Sequence, residues 1–269
     1  MGYLHNKDCW YAEDNVMCIH NRLLALIFRI TFLFGCGLGL YLNSGLRNGE
    51  LAPYMLIFYT IQSNALCFIF FSILIVKNIL DLKAKGIKGS TMFFTHFKGA
   101  VTMSIAVTLL IYHFILVPKF LSLNPNYNIF SWQNMLVHYF VPIIVILDWI
   151  VFDEKLSFYW FDPILWLTIP ITYLIFVFLR ANLGEVIAIV KSQYPYFFLD
   201  VNMLGWEPVL KNVSILMIGF LFLGYSIYII DRISFEQIAL RKANKVATEY
   251  VFPSTACENS ALADTVLMG

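Results

Sequence analysis

Charge is scarce in this chain. Only 13% of its residues are Asp, Glu, Lys or Arg, against 60% apolar and 17% aromatic, a composition far from that of a soluble globular domain. The net charge of +1 has no basic cluster behind it, so nucleic acid is not an expected partner. Cysteine is also sparse and odd in number, five in all with no Cys-x-x-Cys pair, and Cys36 and Cys67 fall inside apolar runs, which argues against a disulfide framework. Cys9 and Cys18, with His5 and His20 nearby, fit no common zinc spacing. There is no Gly-rich phosphate loop, no His-Glu-x-x-His motif and no set of histidines arranged to ligate haem. No cofactor and no metal are therefore expected. The first apolar run has no small-residue cleavage site after it, so it reads as a retained helix.

What the chain has in abundance is hydrocarbon in long runs. Residues 23–43, 53–76, 99–117, 131–152, 160–179 and 208–230 each reach the length that crosses a bilayer as a helix. The expected fold is all-α, a polytopic bundle of six transmembrane helices over residues 23–230. Residues 1–22 form a polar tail, and residues 231–269 form a second tail that begins as a basic amphipathic helix and ends disordered. Lys7, Arg22, Lys77, Lys83, Lys85, Lys88, Lys98, Lys155, Arg232, Arg241, Lys242 and Lys245 fall on one side of this topology. Arg47, Lys119, Arg180, Lys191 and Lys211 fall on the other. The bias predicts that both termini are cytoplasmic. Trp132, Trp160 and Trp206 sit at helix ends, where indole rings anchor at the interface. Pro170 predicts a kink in the fifth helix. The long segment 181–207 contains Tyr194-Pro195-Tyr196-Phe197-Phe198-Leu199-Asp200, too aromatic for a linker and better suited to a lid or interfacial segment.

Against this apolar background, a few polar groups inside the spans stand out, because lipid offers them no partner. Thr60, Ser63, Asn64 and Cys67 follow i, i+3, i+4, i+7 spacing and make one stripe on the second helix; Asn134 and His138 share a face of the fourth. Thr60 lies seven residues after Pro53 and His138 seven after Ser131, which predicts equal depths of roughly 10 Å at about 1.5 Å per residue. Pro142 lacks the amide that would bond the carbonyl of His138, so a kink and a freed carbonyl are expected there. Taken singly these residues have ordinary uses: a membrane threonine bonds its own helix, and Asn64 and Asn134 bridge helices. Arg29 and Asp148 read as a structural ion pair. His113 either joins the pocket or faces the headgroups.

The stretch Phe58-Tyr59-Thr60-Ile61-Gln62-Ser63-Asn64, followed by Val137-His138-Tyr139 with Pro142, Asp148-Trp149 and the Tyr194 to Phe198 segment, resembles the androgen-inducible family of multi-spanning membrane hydrolases, in its bacterial form. The resemblance spans residues 23–230. It implies hydrolysis of a lipid ester, such as a fatty acid ester of a hydroxy fatty acid, with Thr60 as nucleophile and His138 as its base. The residues themselves suit that chemistry, because a threonine hydroxyl attacks a carbonyl only when a base removes its proton. Ser63, Asn64 and Asn134 are the candidates for the substrate pocket or for oxyanion hydrogen bonds. The expected partners are thus a lipid ester and the surrounding membrane lipid. The alternative is a small transporter or lipid-binding protein that uses the same polar groups without bond cleavage, and a purely structural membrane protein is a third.

Overall fold

The computed structural model describes residues 18–251, with the side chains of Asn48 and of residues 234–251 excepted. The fold is all-α, and among the described residues six helices are long and apolar enough to cross a membrane: α1 (Arg22–Asn43), α2 (Tyr59–Lys85), α3 (Thr95–Leu123), α4 (Trp132–Phe152), α5 (Asp162–Asn182) and α6, whose apolar part is Trp206–Ile233. The chain is an integral, multi-pass membrane protein. The described residues up to 231 fall in one compact unit. Arg232 begins a second, within which the described backbone continues as helix to Val251. His5 and Cys9, whose spacing fits no common zinc site, and the tail beyond Pro253 lie outside the described residues.

Helix α3 is the most enclosed of the six and packs against α2, α4 and α5, while α1 lies along α2 and α4. Large apolar side chains such as Phe34, Ile69, Phe114, Ile175 and Phe222 point outward, as helices solvated by lipid require. Two places need a missing side chain. Gly35 and Gly39 let α1 approach α4 so closely that a Cβ at Gly35 would overlap the Phe140 ring, and one at Gly39 would press on Leu136 and Val137. Gly99 gives the same room to Trp166 on α5.

The helix boundaries depart from the periodicity in three informative ways. First, α2 starts at Tyr59, because Pro53–Ile57 winds as a 3-10 turn instead of joining the helix; Thr60 therefore lies in the first turn. Second, both α3 and α4 widen into a π turn, at Tyr112–Leu116 and Leu136–Phe140. Each π turn begins six residues before a proline, Pro118 and Pro142. Val117 N–H bonds Tyr112 C=O and Val141 N–H bonds Leu136 C=O, five residues back in each case. The next amide in that register is Pro142, so the carbonyl it leaves free is that of Val137, not of His138. Third, α5 is interrupted at Leu167, three residues before Pro170, on the carbonyl side where the missing proline amide is felt.

The end of the bundle at which α1 begins and α2 ends is ionic. Asn21 caps α1 by accepting the Leu24 N–H at 3.0 Å. Arg22 donates to the carbonyls of Lys85, Gly86 and Lys88, closing the loop after α2. Arg29 and Asp148 do pair, Nε to Oδ1 at 2.9 Å, with both side chains fully buried. Lys98 extends the pair: its ammonium lies 2.5 Å from Asp148 and 2.6 Å from Asp153. Burial pushes the Asp153 carboxyl above its usual range, against the pull of Lys98. Lys98 is thus no loop residue; the first turn of α3 carries it inside.

Candidate active site

At the opposite end the buried polarity is neutral. The Thr60 hydroxyl lies 3.4 Å from His138 Nε2. His138 Nδ1 is 3.2 Å from the carbonyl of Asn134. A carbonyl only accepts, so Nδ1 carries the ring proton and Nε2 presents its lone pair to Thr60. The contact is long for a hydrogen bond, as general-base pairs commonly are without substrate.

Several neighbours hold this imidazole. Tyr112, in the π turn of α3, stacks on the ring with centroids 3.6 Å apart and planes 16° from parallel. Its hydroxyl meets that of Tyr127 at 3.2 Å, and Tyr127 accepts the Asn134 side-chain amide at 3.0 Å. Asn134 therefore orients His138 through its carbonyl and braces the stacking tyrosine through its side chain. The two π turns thus meet through their rings, Tyr112 against His138 and, edge on at 5.7 Å, against Tyr139. His138 is held by a backbone carbonyl, and no carboxylate contacts it among the described residues.

The position of Thr60 in the first turn of α2 gives it a second property. The first helical bonds of α2 are made by Ile61 and Gln62, both to Phe58 C=O, so the Tyr59 and Thr60 amides have no carbonyl behind them. Two tyrosines meet this helix end. The Tyr173 phenol, from α5, donates to Ile57 C=O at 3.1 Å. The Tyr196 phenol comes to the same place, near enough to the Thr60 hydroxyl and to the Tyr59 and Thr60 amides for each to favour its ionised form. Tyr196 comes from the 181–207 segment, where Ile187 and Ser192 pair across a tight turn and Tyr194, Tyr196 and Phe198 then dive between the helices. Burial raises the phenol of Tyr196 above its ordinary pKa and keeps it protonated.

The remaining sequence candidates divide. Asn64 donates to Thr60 C=O at 2.7 Å and to Val137 C=O at 3.0 Å, so it satisfies the carbonyl that Pro142 leaves free and ties the two site helices together. Its amide hydrogens are spent there. Ser63 bonds Thr60 C=O at 3.1 Å and the Thr108 hydroxyl at 2.7 Å, which fixes α2 to α3. Asn134 donates to Tyr127 and to Asn128 C=O. None of the three directs a free donor at the Thr60 hydroxyl. Cys67 is buried. His113 is exposed, 3.1 Å from the Tyr139 hydroxyl and away from the imidazole of His138.

Thr60 and His138 both line a chamber of about 620 Å³, enclosed by Tyr112, Phe120, Tyr127, Tyr196 and Phe197, with Asn43, Lys119, Asn134 and Asp200 among its polar groups. Lys119 lies 5.4 Å over the Phe197 ring. Sequence reasoning missed Tyr112, Tyr127 and Tyr196. A signal for the first existed, since Pro118 follows Tyr112 at the spacing by which Pro142 follows Leu136. Comparison of the chain with family models, curated proteins and solved structures gave no match.

Proposed function

We propose that this chain is an integral-membrane hydrolase that cleaves a lipid ester, with Thr60 as nucleophile and His138 as its base. The observation that carries the proposal is geometric: His138 Nδ1 lies 3.2 Å from the Asn134 carbonyl, which can only accept, and Nε2 faces the Thr60 hydroxyl at 3.4 Å. Thr60 Oγ1 attacks the ester carbonyl carbon as His138 Nε2 takes its proton. The oxyanion forms beside the Tyr196 phenol and the first-turn amides of α2, which have no carbonyl behind them. The carbon–oxygen bond to the alcohol then breaks. His138 returns its proton to the departing oxygen, leaving an acyl ester on Thr60. Water, deprotonated by His138 in turn, attacks that ester; the bond to Thr60 Oγ1 breaks as His138 returns the proton to it, and the acid is released.

The resemblance to the androgen-inducible hydrolases supports the same residues in the same roles and makes fatty acid esters of hydroxy fatty acids the first substrates to assay. With both termini in the cytoplasm, as the distribution of Lys and Arg favours, the site faces the outer half of the bilayer. There an ester enters from lipid and water enters from the outer face.

The test is labelling of purified, detergent-solubilised protein with a fluorophosphonate probe, in parallel with lipid-ester turnover. Labelling and turnover that disappear in both Thr60→Ala and His138→Ala, with helicity and melting temperature preserved, are the expected result. Folded wild type that neither labels nor turns over esters would sink the hydrolase reading and leave a lipid-binding or transport role for the chamber.

A further inference from the structure

Thr60 borders a second cavity besides the large chamber. This one is a slot of about 50 Å³ bounded by Val107, Ile111 and Leu174 and by Val213, Leu216 and Phe220 of α6. Thr60, Tyr112, Leu116 and Tyr196 belong to both spaces, whereas His138 lines the chamber and not the slot. The two spaces also differ in character. The slot has room for only about four water-sized spheres, at roughly 10–15 Å³ each, and its wall is mostly aliphatic and aromatic, so it suits hydrocarbon. The chamber is an order of magnitude larger and carries Asn43, Lys119, Asn134 and Asp200 on its wall.

Proton traffic settles which half of an ester goes where. The base that takes the hydroxyl proton must hand it to the leaving alcohol oxygen, so that oxygen lies on the His138 side of the reacting carbon. We infer that the acyl chain occupies the slot between α3, α5 and α6, and that the leaving alcohol occupies the large chamber. This rests on the hydrolase reading above and adds the direction in which the substrate lies. The acyl half is an unbranched hydrocarbon, its far end emerging between the half-buried Leu174 of α5 and Leu216 of α6. The alcohol half is bulky and tolerates polar substituents. Val213 and Leu216 then set acyl selectivity, and Met55 and Phe120 set alcohol selectivity.

The experiment crosses two ester series with two filling variants of the full-length protein. One series lengthens the acyl chain on a short alcohol; the other lengthens the alcohol on a short acid. In Val213→Phe, kcat/KM for the long-acyl esters falls about tenfold or more relative to wild type, the scale set by a misplaced methylene or two in an apolar pocket, while the long-alcohol series changes less than about twofold. Met55→Trp gives the reverse pattern. Val213→Ala, which removes bulk and cannot overfill the core, raises the relative rate on long acyl chains and keeps the test open should Val213→Phe fail to fold. The opposite crossing, or equal losses in both series, overturns the assignment while leaving the hydrolase reading intact. A wild type inert towards every ester in both series overturns both.

Discussion

Both ends of this bundle bury polar side chains, and they do so in opposite ways. At the ionic end Arg29, Lys98, Asp148 and Asp153 neutralise one another inside packed helices, each cation against at least one carboxylate within 3 Å. At the other end the buried groups are uncharged, a hydroxyl, an imidazole and several phenols, and they border empty volume. The first arrangement closes. Desolvating charges costs several kcal/mol per ion, and only mutual saturation offsets it. The second stays available, because neutral groups cost less to bury and need not be fully paired to remain in place. A saturated ionic cluster holds helices together; a partly satisfied neutral one beside a chamber can exchange a proton with something that enters.

That contrast can be broken by substitution, and the largest effect expected is on chemistry. Thr60→Ala lowers lipid-ester turnover by about 10⁴-fold or more, the scale on which nucleophile loss acts in dyad and triad enzymes, with a melting temperature close to wild type. A comparable fall in stability would mean that the two ends do not divide structure from chemistry.

Next in size is Asp148→Ala, which leaves Arg29 with only the Thr91 oxygens and Lys98 with Asp153 alone and costs about 3–5 kcal/mol, read as a loss of folded protein in detergent. The exchange Arg29→Asp with Asp148→Arg restores only part of this, because the new arginine faces Lys98. Full rescue would show that Lys98 lies outside the cluster.

Asn64 belongs to both halves of the comparison, since it is structural in its bonds and functional in what they align. Asn64→Leu leaves Val137 C=O without its donor, costs about 1–3 kcal/mol, and slows turnover about tenfold by loosening the Thr60 to His138 spacing. Unchanged turnover with reduced stability would assign it to scaffold alone. Smallest is the effect of pH on Tyr196. Its phenol is held above the ordinary value near 10 by burial, so the neutral form is the one the fold favours. That contribution is complete below about pH 10 and is lost only as pH rises through the raised value. Tyr196→Phe lowers turnover about 10²-fold if the phenol is the oxyanion donor proposed above, yet leaves the shape of the pH profile between about pH 7 and 9 unchanged; an altered profile in that window would mean that the phenol ionises there.

Much of this site is legible in the residues. Thr60 and His138 stand out because lipid makes every polar side chain conspicuous, and Pro142 announces a disturbed helix by lacking an amide. The details that decide the chemistry were not legible. A freed carbonyl at His138 assumes regular winding, and the π turn moves it to Val137, where Asn64 takes it. Ser63, Asn64 and Asn134 suggest oxyanion donors by type, but their bonds go elsewhere: Ser63 to Thr60 C=O and Thr108, Asn64 to Thr60 and Val137 C=O, Asn134 to Tyr127 and Asn128 C=O. The donors beside Thr60 come instead from a tyrosine some 130 residues away and from a helix start that the apolar run places six residues too early.

By itself the sequence determined that the chain spans the membrane repeatedly, because hydrocarbon runs of that length have no other solvent, and it determined which rare polar groups must find partners. Which partners they find was decided by tertiary structure alone. Gly35 and Gly39 let α1 press on the π turn of α4, and the Tyr194 to Phe198 segment folds back to place a phenol at the head of α2. Periodicity reports the face a residue occupies on its own helix, whereas the identity of the neighbour opposite depends on how helices distant in sequence pack.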